Sequence, residues 1–139
     1  MSILGTVRGL IQDTSSPYRF SDDELNIIMA SAMNELNAWI STEWTISDLD
    51  TTPCPVPIRD QQVFVVVVKI MVVDSILANT DKATKLVTQD AQIDPSNTIT
   101  RLNRMRMLLD QDLQRKLVYW YGLKHGAVVA HSGDTWGGA

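Results

Sequence analysis

Residues 58–79 read IRDQQVFVVVVKIMVVDSILAN. From Val63 to Val73 the apolar side chains are almost unbroken, and β-branched residues dominate. Taken locally, that composition favours a strand. Length argues the other way. No glycine or proline interrupts Ile58–Asn79, and strands rarely exceed about ten residues. The stretch is therefore expected to be a helix. A helix apolar nearly all round must be covered on most sides. A chain of 139 residues has few elements to cover it, so a neighbouring subunit is the expected source of cover, with Phe64 at the contact. Its most apolar part, Val63–Ala78, carries Lys69, Asp74 and Ser75. A membrane span needs about 20 apolar residues, and a central lysine costs about 2.5–3.5 kcal/mol. A buried helix is expected, with no membrane contact.

Upstream, Ser21 and Glu24 form an S-x-x-E capping box, and Asp22 and Asp23 suit the positive end of a helix. Phe20 and Leu25 stand where a hydrophobic staple would close over that cap. Leu25, Ile28, Met29, Ala32, Met33, Leu36, Trp39 and Ile40 then keep helical spacing to about Ser41. Before this lies a short amphipathic helix, Ser2–Gln12, with Ser2 as N-cap. Between the second helix and Ile58, Pro53, Pro55 and Pro57 forbid helix and central strand alike. Thr42–Pro57 is expected to be an ordered loop anchored by Trp44 and Ile46.

Downstream, residues 85–93 (KLVTQDAQI) alternate in part and suggest a β-like arm. Asp94-Pro95 then supplies an N-cap followed by proline at the first helical position. A long helix is expected from Pro95 to Tyr121, about 40 Å at 1.5 Å per residue. Its stripe is Ile99, Leu102, Met105, Leu109, Leu113, Leu117 and Trp120, and Gly122 is its stop. The fold class is thus all-α: a four-helix bundle-like domain with a short arm, a long C-terminal helix and an extended tail. Two parts are expected, residues 1–121 as the helical domain and residues 122–139 as a glycine-rich tail.

Composition excludes several functions. Twelve basic against sixteen acidic residues give a net charge of −4, which disfavours a protein that wraps nucleic acid. The charge is uneven: residues 1–60 hold three basic and nine acidic groups, and residues 61–139 hold nine and seven. The halves therefore balance at −6 and +2. Cys54 is the one cysteine, so no internal disulfide or multi-cysteine zinc site can form. It sits between prolines with no histidine nearby to activate it. His125 and His131 lack further ligands apart from Asp134. Neither phosphate-binding glycine motif occurs. Met1–Asp13 lacks the basic start and long apolar run of a secretory leader. No catalytic constellation, metal or cofactor is expected.

What remains points to assembly. Tyr119, Trp120 and Tyr121 are adjacent, so they face three sides of a helix and cannot all enter one core. With Leu117, and with Val128, Val129 and Trp136 in the tail, they are the expected partner-binding residues. Arg101, Arg104 and Arg106 are the one basic cluster and are assigned to a subunit interface. The competing role for these arginines is phosphate contact in a small helical DNA-binding regulator, against which the net charge and the missing helix-turn-helix signal count.

The block Val7–Leu36, VRGLIQDTSSPYRFSDDELNIIMASAMNEL, resembles the opening of the head–tail adaptor proteins of tailed bacteriophages, also called connector or neck proteins. The distinctive letters are Tyr18-Arg19-Phe20-Ser21-Asp22-Asp23-Glu24-Leu25 and, later, Ile93-Asp94-Pro95-Ser96. The order of elements, over about 120 residues, is similar too. The resemblance implies a structural virion protein, not an enzyme. It implies a homo-oligomeric ring, usually of twelve copies, below the portal protein at the capsid vertex. Such a ring extends the channel through which double-stranded DNA passes without specific binding, and it meets a downstream tail or nozzle protein. It also implies assembly in the host cytoplasm and residence in the neck of the virion. In that family the C-terminal helix and tail reach the portal, a role that would fall on Leu117–Ala139. The glycine-rich end from Gly126 is not a family motif.

Overall fold

A computed structural model describes residues 2–14, 18–78 and 95–123. These residues form five helices and, among them, no strand. They are α1 (Ile3–Leu10), α2 (Asp22–Ile40), α3 (Ile46–Asp50), α4 (Ile58–Ala78) and α5 (Pro95–Tyr121). The expected arm at 85–93, the Asp94 cap and the tail beyond Leu123 lie outside the described residues.

The caps set the boundaries. The Ser2 hydroxyl accepts from the Gly5 amide and starts α1. At α2 both halves of the capping box are made: Ser21 Oγ accepts from the Glu24 amide at 3.1 Å, and Glu24 accepts from the Ser21 amide at 3.0 Å. Phe20 and Leu25, flanking that cap, are both buried. α2 ends at Ser41, which takes the left-handed conformation at φ 58°. α5 ends at Gly122 with φ 68°, where the Leu123 amide reaches back to the Leu117 carbonyl at 3.2 Å. Only glycine adopts that φ without a Cβ penalty.

One element differs from expectation. The segment 42–57 is not loop throughout, because α3 occupies Ile46–Asp50. Thr45 and Asp48 form a second capping box, with the Thr45 amide donating to Asp48 Oδ2 at 2.8 Å. Five residues are too few to show a periodicity, and the prolines that follow end the helix. The anchors do lie where expected. Ile46 packs on the core, and the Trp44 indole donates to Asp60 Oδ2 at 3.0 Å.

α4 is the centre of the fold. It lies between α2 and α5, which make little direct contact with each other. Val63, Phe64, Val66, Val67, Val68, Ile70, Val72, Val73 and Ile76 are all buried. They meet Leu25, Met29, Met33 and Leu36 from α2, and Leu102, Leu113 and Leu117 from α5. With 21 residues and an 18-residue stretch of mean hydropathy 1.9, it would suffice for a membrane span by length and composition, yet here it is the core helix. This corrects the expectation that copies of the chain must cover α4. The chain covers it itself, and the β-branched run is tolerated because packing against two helices outweighs a propensity cost of a few tenths of a kcal/mol per residue.

Direction follows from the end contacts. Trp44, just past the end of α2, reaches Asp60 at the start of α4. Tyr121, at the end of α5, reaches the same Asp60. Arg106, in the first half of α5, reaches Asp74 near the end of α4. Both α2 and α5 therefore run antiparallel to α4 and parallel to each other.

Candidate functional site

The Tyr18–Leu25 signature builds a clasp between α1 and α2. Asp13 is buried in the turn that follows α1. Its carboxylate accepts from the backbone amides of Arg19 at 2.8 Å and Phe20 at 3.0 Å, and from Arg8 Nη1 at 3.2 Å. Arg8 also donates to the Phe20 carbonyl at 2.9 Å and to Asp22 Oδ1 at 2.6 Å. The Tyr18 ring lies 4.0 Å from its guanidinium. Arg19 donates to the Ile11 carbonyl at 2.6 Å and lies 3.8 Å from Asp13. The two buried arginines are thus balanced by buried Asp13 and by Asp22 at the surface, and such pairing is the condition for burying charges at all. The sequence pattern revealed the cap and not the clasp. Arg8 and Asp13 lie five residues apart, and their pairing needs the turn between them.

A second polar cluster ties the end of α5 to the rest. Asp60 is buried and accepts from the Tyr121 hydroxyl at 2.6 Å and from the Trp44 indole. Burial first, then the hydrogen bond to Asp60 and its charge, pushes the Tyr121 phenol well above its ordinary range. Arg59 stacks 4.6 Å from the Tyr121 ring and donates to the Trp120 carbonyl at 3.2 Å. A cation there suits the negative end of α5. Tyr121 therefore serves the fold, a role that its place in an aromatic triplet did not reveal.

The expected partner-binding residues separate accordingly. Leu117 is 0% exposed and Phe64 is 1% exposed, so both face the core of their own chain and offer no surface to a partner. The interface role that the sequence suggests for both is not met in this fold, because α5 covers α4 within one chain. Arg106 is held by Asp74 at 2.9 Å and Asp110 at 3.4 Å, which joins α5 to α4. Arg101 and Arg104 are exposed. Tyr119 is 78% exposed, and Trp120 lies under Lys116, 5.0 Å from the ring. Val128, Val129 and Trp136 lie outside the described residues, as do His125 and His131.

The expected α5 stripe is only half buried. Leu102, Leu113 and Leu117 enter the core, whereas Ile99 and Met105 stand in solvent. With Met107 and Leu108 they leave an apolar surface along α5. A shallow cleft of about 470 Å³ runs beside it, lined by Met107, Gln111, Gln114, Val118 and Tyr119 among others. Gln114 is buried, and both polar atoms of its amide lack a hydrogen-bond partner among the described residues. Apolar surface this concentrated, beside unsatisfied polar atoms, is a mark of an interaction surface. Cys54 is exposed, and its thiol is 3.4 Å from the Asp48 carbonyl. Among the described residues no three His, Cys, Asp or Glu side chains gather to hold a metal ion. Compared with known proteins, the chain matches no family model, no curated protein and no solved structure.

Proposed function

We propose that the chain is a structural virion protein, a head-to-tail adaptor that forms a ring below a portal protein and continues the DNA channel toward the tail. The observation that carries this reading is the long α5, which keeps Met105, Met107, Leu108 and Tyr119 in solvent although α4 buries most of its apolar side chains within the chain. The resemblance of residues 7–36 and 93–96 to the adaptor family supports it. So does the arrangement of an acidic first half and a mildly basic second half, which supplies two unlike surfaces to each subunit. In this reading residues 1–121 are a four-helix bundle-like adaptor domain, and residues 85–93 and 122–139 are a β-like arm and an extended tail that reach neighbouring subunits and the portal. The ring has about a dozen copies, by analogy with the family. The net negative charge suits a bore that DNA passes without being gripped. The end of α5 around Tyr119 and Trp120, with Val128, Val129 and Trp136, faces the portal. The far side of the ring meets the next tail component, and no cofactor or chemistry is needed.

The test is assembly with the portal protein of the same virus. Co-purification, native mass spectrometry and negative-stain images should show a complex in which this chain forms a ring. Absence of both complex and rings overturns the proposal. A free monomer by itself does not, because such a ring can require its portal as a template.

A further inference from the structure

We infer that the outward face of α5 in one copy docks, in parallel, on the outward face of α2 in the next copy. This deepens the adaptor reading and rests on it for the ring, though the pairing itself stands on the surfaces below.

α5 presents Arg101, Met105, Leu108, Asp112, Arg115 and Tyr119 at alternating spacings of four and three, the pattern of a helix–helix seam. Leu108 is 54% exposed, and Met105 and Tyr119 stand in solvent beside it. α2 presents Asp23, Ile27, Ala30, Asn34, Ala38 and Ser41 on the side away from α4, and all six are exposed. Ile27 is 67% exposed, without cover among the described residues. From Asp23 to Ser41 and from Arg101 to Tyr119 the two stripes have the same length, about 27 Å at 1.5 Å per residue.

Set in parallel with their starts aligned, the stripes match. Arg101 meets Asp23, Met105 meets Ile27, Leu108 lies over Ala30 and Tyr119 reaches Ser41. Charge agrees, since Arg101 and Arg104, in the first half of α5, come level with Asp23 at the start of α2. Self-pairing of α5 does not work. In parallel it places arginines against arginines, and in antiparallel it places Met105 against Arg115 and Leu108 against Asp112.

The fold supplies the geometry this pairing needs. α2 and α5 both pack on α4 with little contact between them, so their outward faces are separate surfaces, and they run in the same direction. Copies related by rotation about an axis along the helices then present α5 to α2 in parallel at every contact. Such a contact is heterologous, and it closes into a ring or continues as a filament.

The test is disulfide cross-linking of the full chain with Cys54→Ser as background. A chain carrying both Ile27→Cys and Met105→Cys, oxidised with copper phenanthroline free and with portal present, should give a ladder running beyond dimer on non-reducing gels. Either cysteine alone should give none. Asp23→Arg should cut the cross-linked fraction at least tenfold, and adding Arg101→Asp should restore it. No ladder from the double-cysteine chain, or dimers from Met105→Cys alone, overturns the inference. Rings on the portal without the ladder would leave the adaptor reading and remove this pairing. A ladder without portal binding would do the reverse.

Discussion

The clasp between α1 and α2 and the outward face of α5 treat their side chains in opposite ways. In the clasp, Arg8, Asp13 and Arg19 are turned inward and answered by one another and by backbone groups. On α5, Met105, Met107, Leu108 and Tyr119 are turned outward, with no cover among the described residues. Buried charge with partners is a folding device, because removing one partner leaves another charge stranded in low dielectric. Exposed apolar surface does little for the fold, so it is where a partner's requirements show. The motif by which the chain resembles a known family therefore does structural work, and the surface on which the proposed assembly depends carries no motif.

Mutations should divide along that line. Asp13→Ala sits at the clasp end of the comparison and should have the largest effect. It strands two arginines and leaves the Arg19 and Phe20 amides without their acceptor, so a loss of about 3–5 kcal/mol is expected. Chemical denaturation would measure it, and a loss under 1 kcal/mol would mean that the clasp contributes little.

Tyr121→Phe is intermediate. It removes one hydrogen bond to a buried carboxylate at a partly exposed site, for which about 1–2 kcal/mol is expected. It also bears on pH. The folded pKa of Tyr121 is raised, so the stability tied to its proton is fully present below the unfolded value, about 10, and declines as pH rises above it. The wild type should therefore lose more stability than Tyr121→Phe between about pH 9 and pH 11. Equal losses in thermal melts would show that the phenol proton is not coupled to folding.

Leu108→Ser, on the outward face, should change the stability of the free chain by no more than about 0.5 kcal/mol. It should nonetheless reduce ring formation on the portal, read by native mass spectrometry. A stability loss of several kcal/mol would place Leu108 in the core and erase the contrast between the two regions.

The helices were legible in the sequence to different depths. α2 announced itself through Ser21 and Glu24, and the end of α5 through Gly122, because caps are local chemistry. α4 was legible through its length rather than its propensity. α3 was not, since five residues carry no period and only the pairing of Thr45 with Asp48 marks it. For the candidate site the stripe along α5 was visible, yet its division between core and solvent was not. Met105 and Leu109 look alike in a periodic pattern, and only the position of α4 decides that Leu109 packs on the core while Met105 faces water.

By itself, then, the sequence determined an acidic chain with one cysteine, helical across its described residues, with helix ends set by local hydrogen bonding. Backbone groups near a cap are satisfied within a few residues, so no tertiary information is needed. The tertiary structure decided what each side chain faces. It put Phe64 and Leu117 into the chain's own core, drew Arg8 and Tyr121 into polar clusters, and left the outward faces of α2 and α5 open. Those outcomes depend on which helix lies beside which, because burial and charge pairing act between residues far apart in the chain.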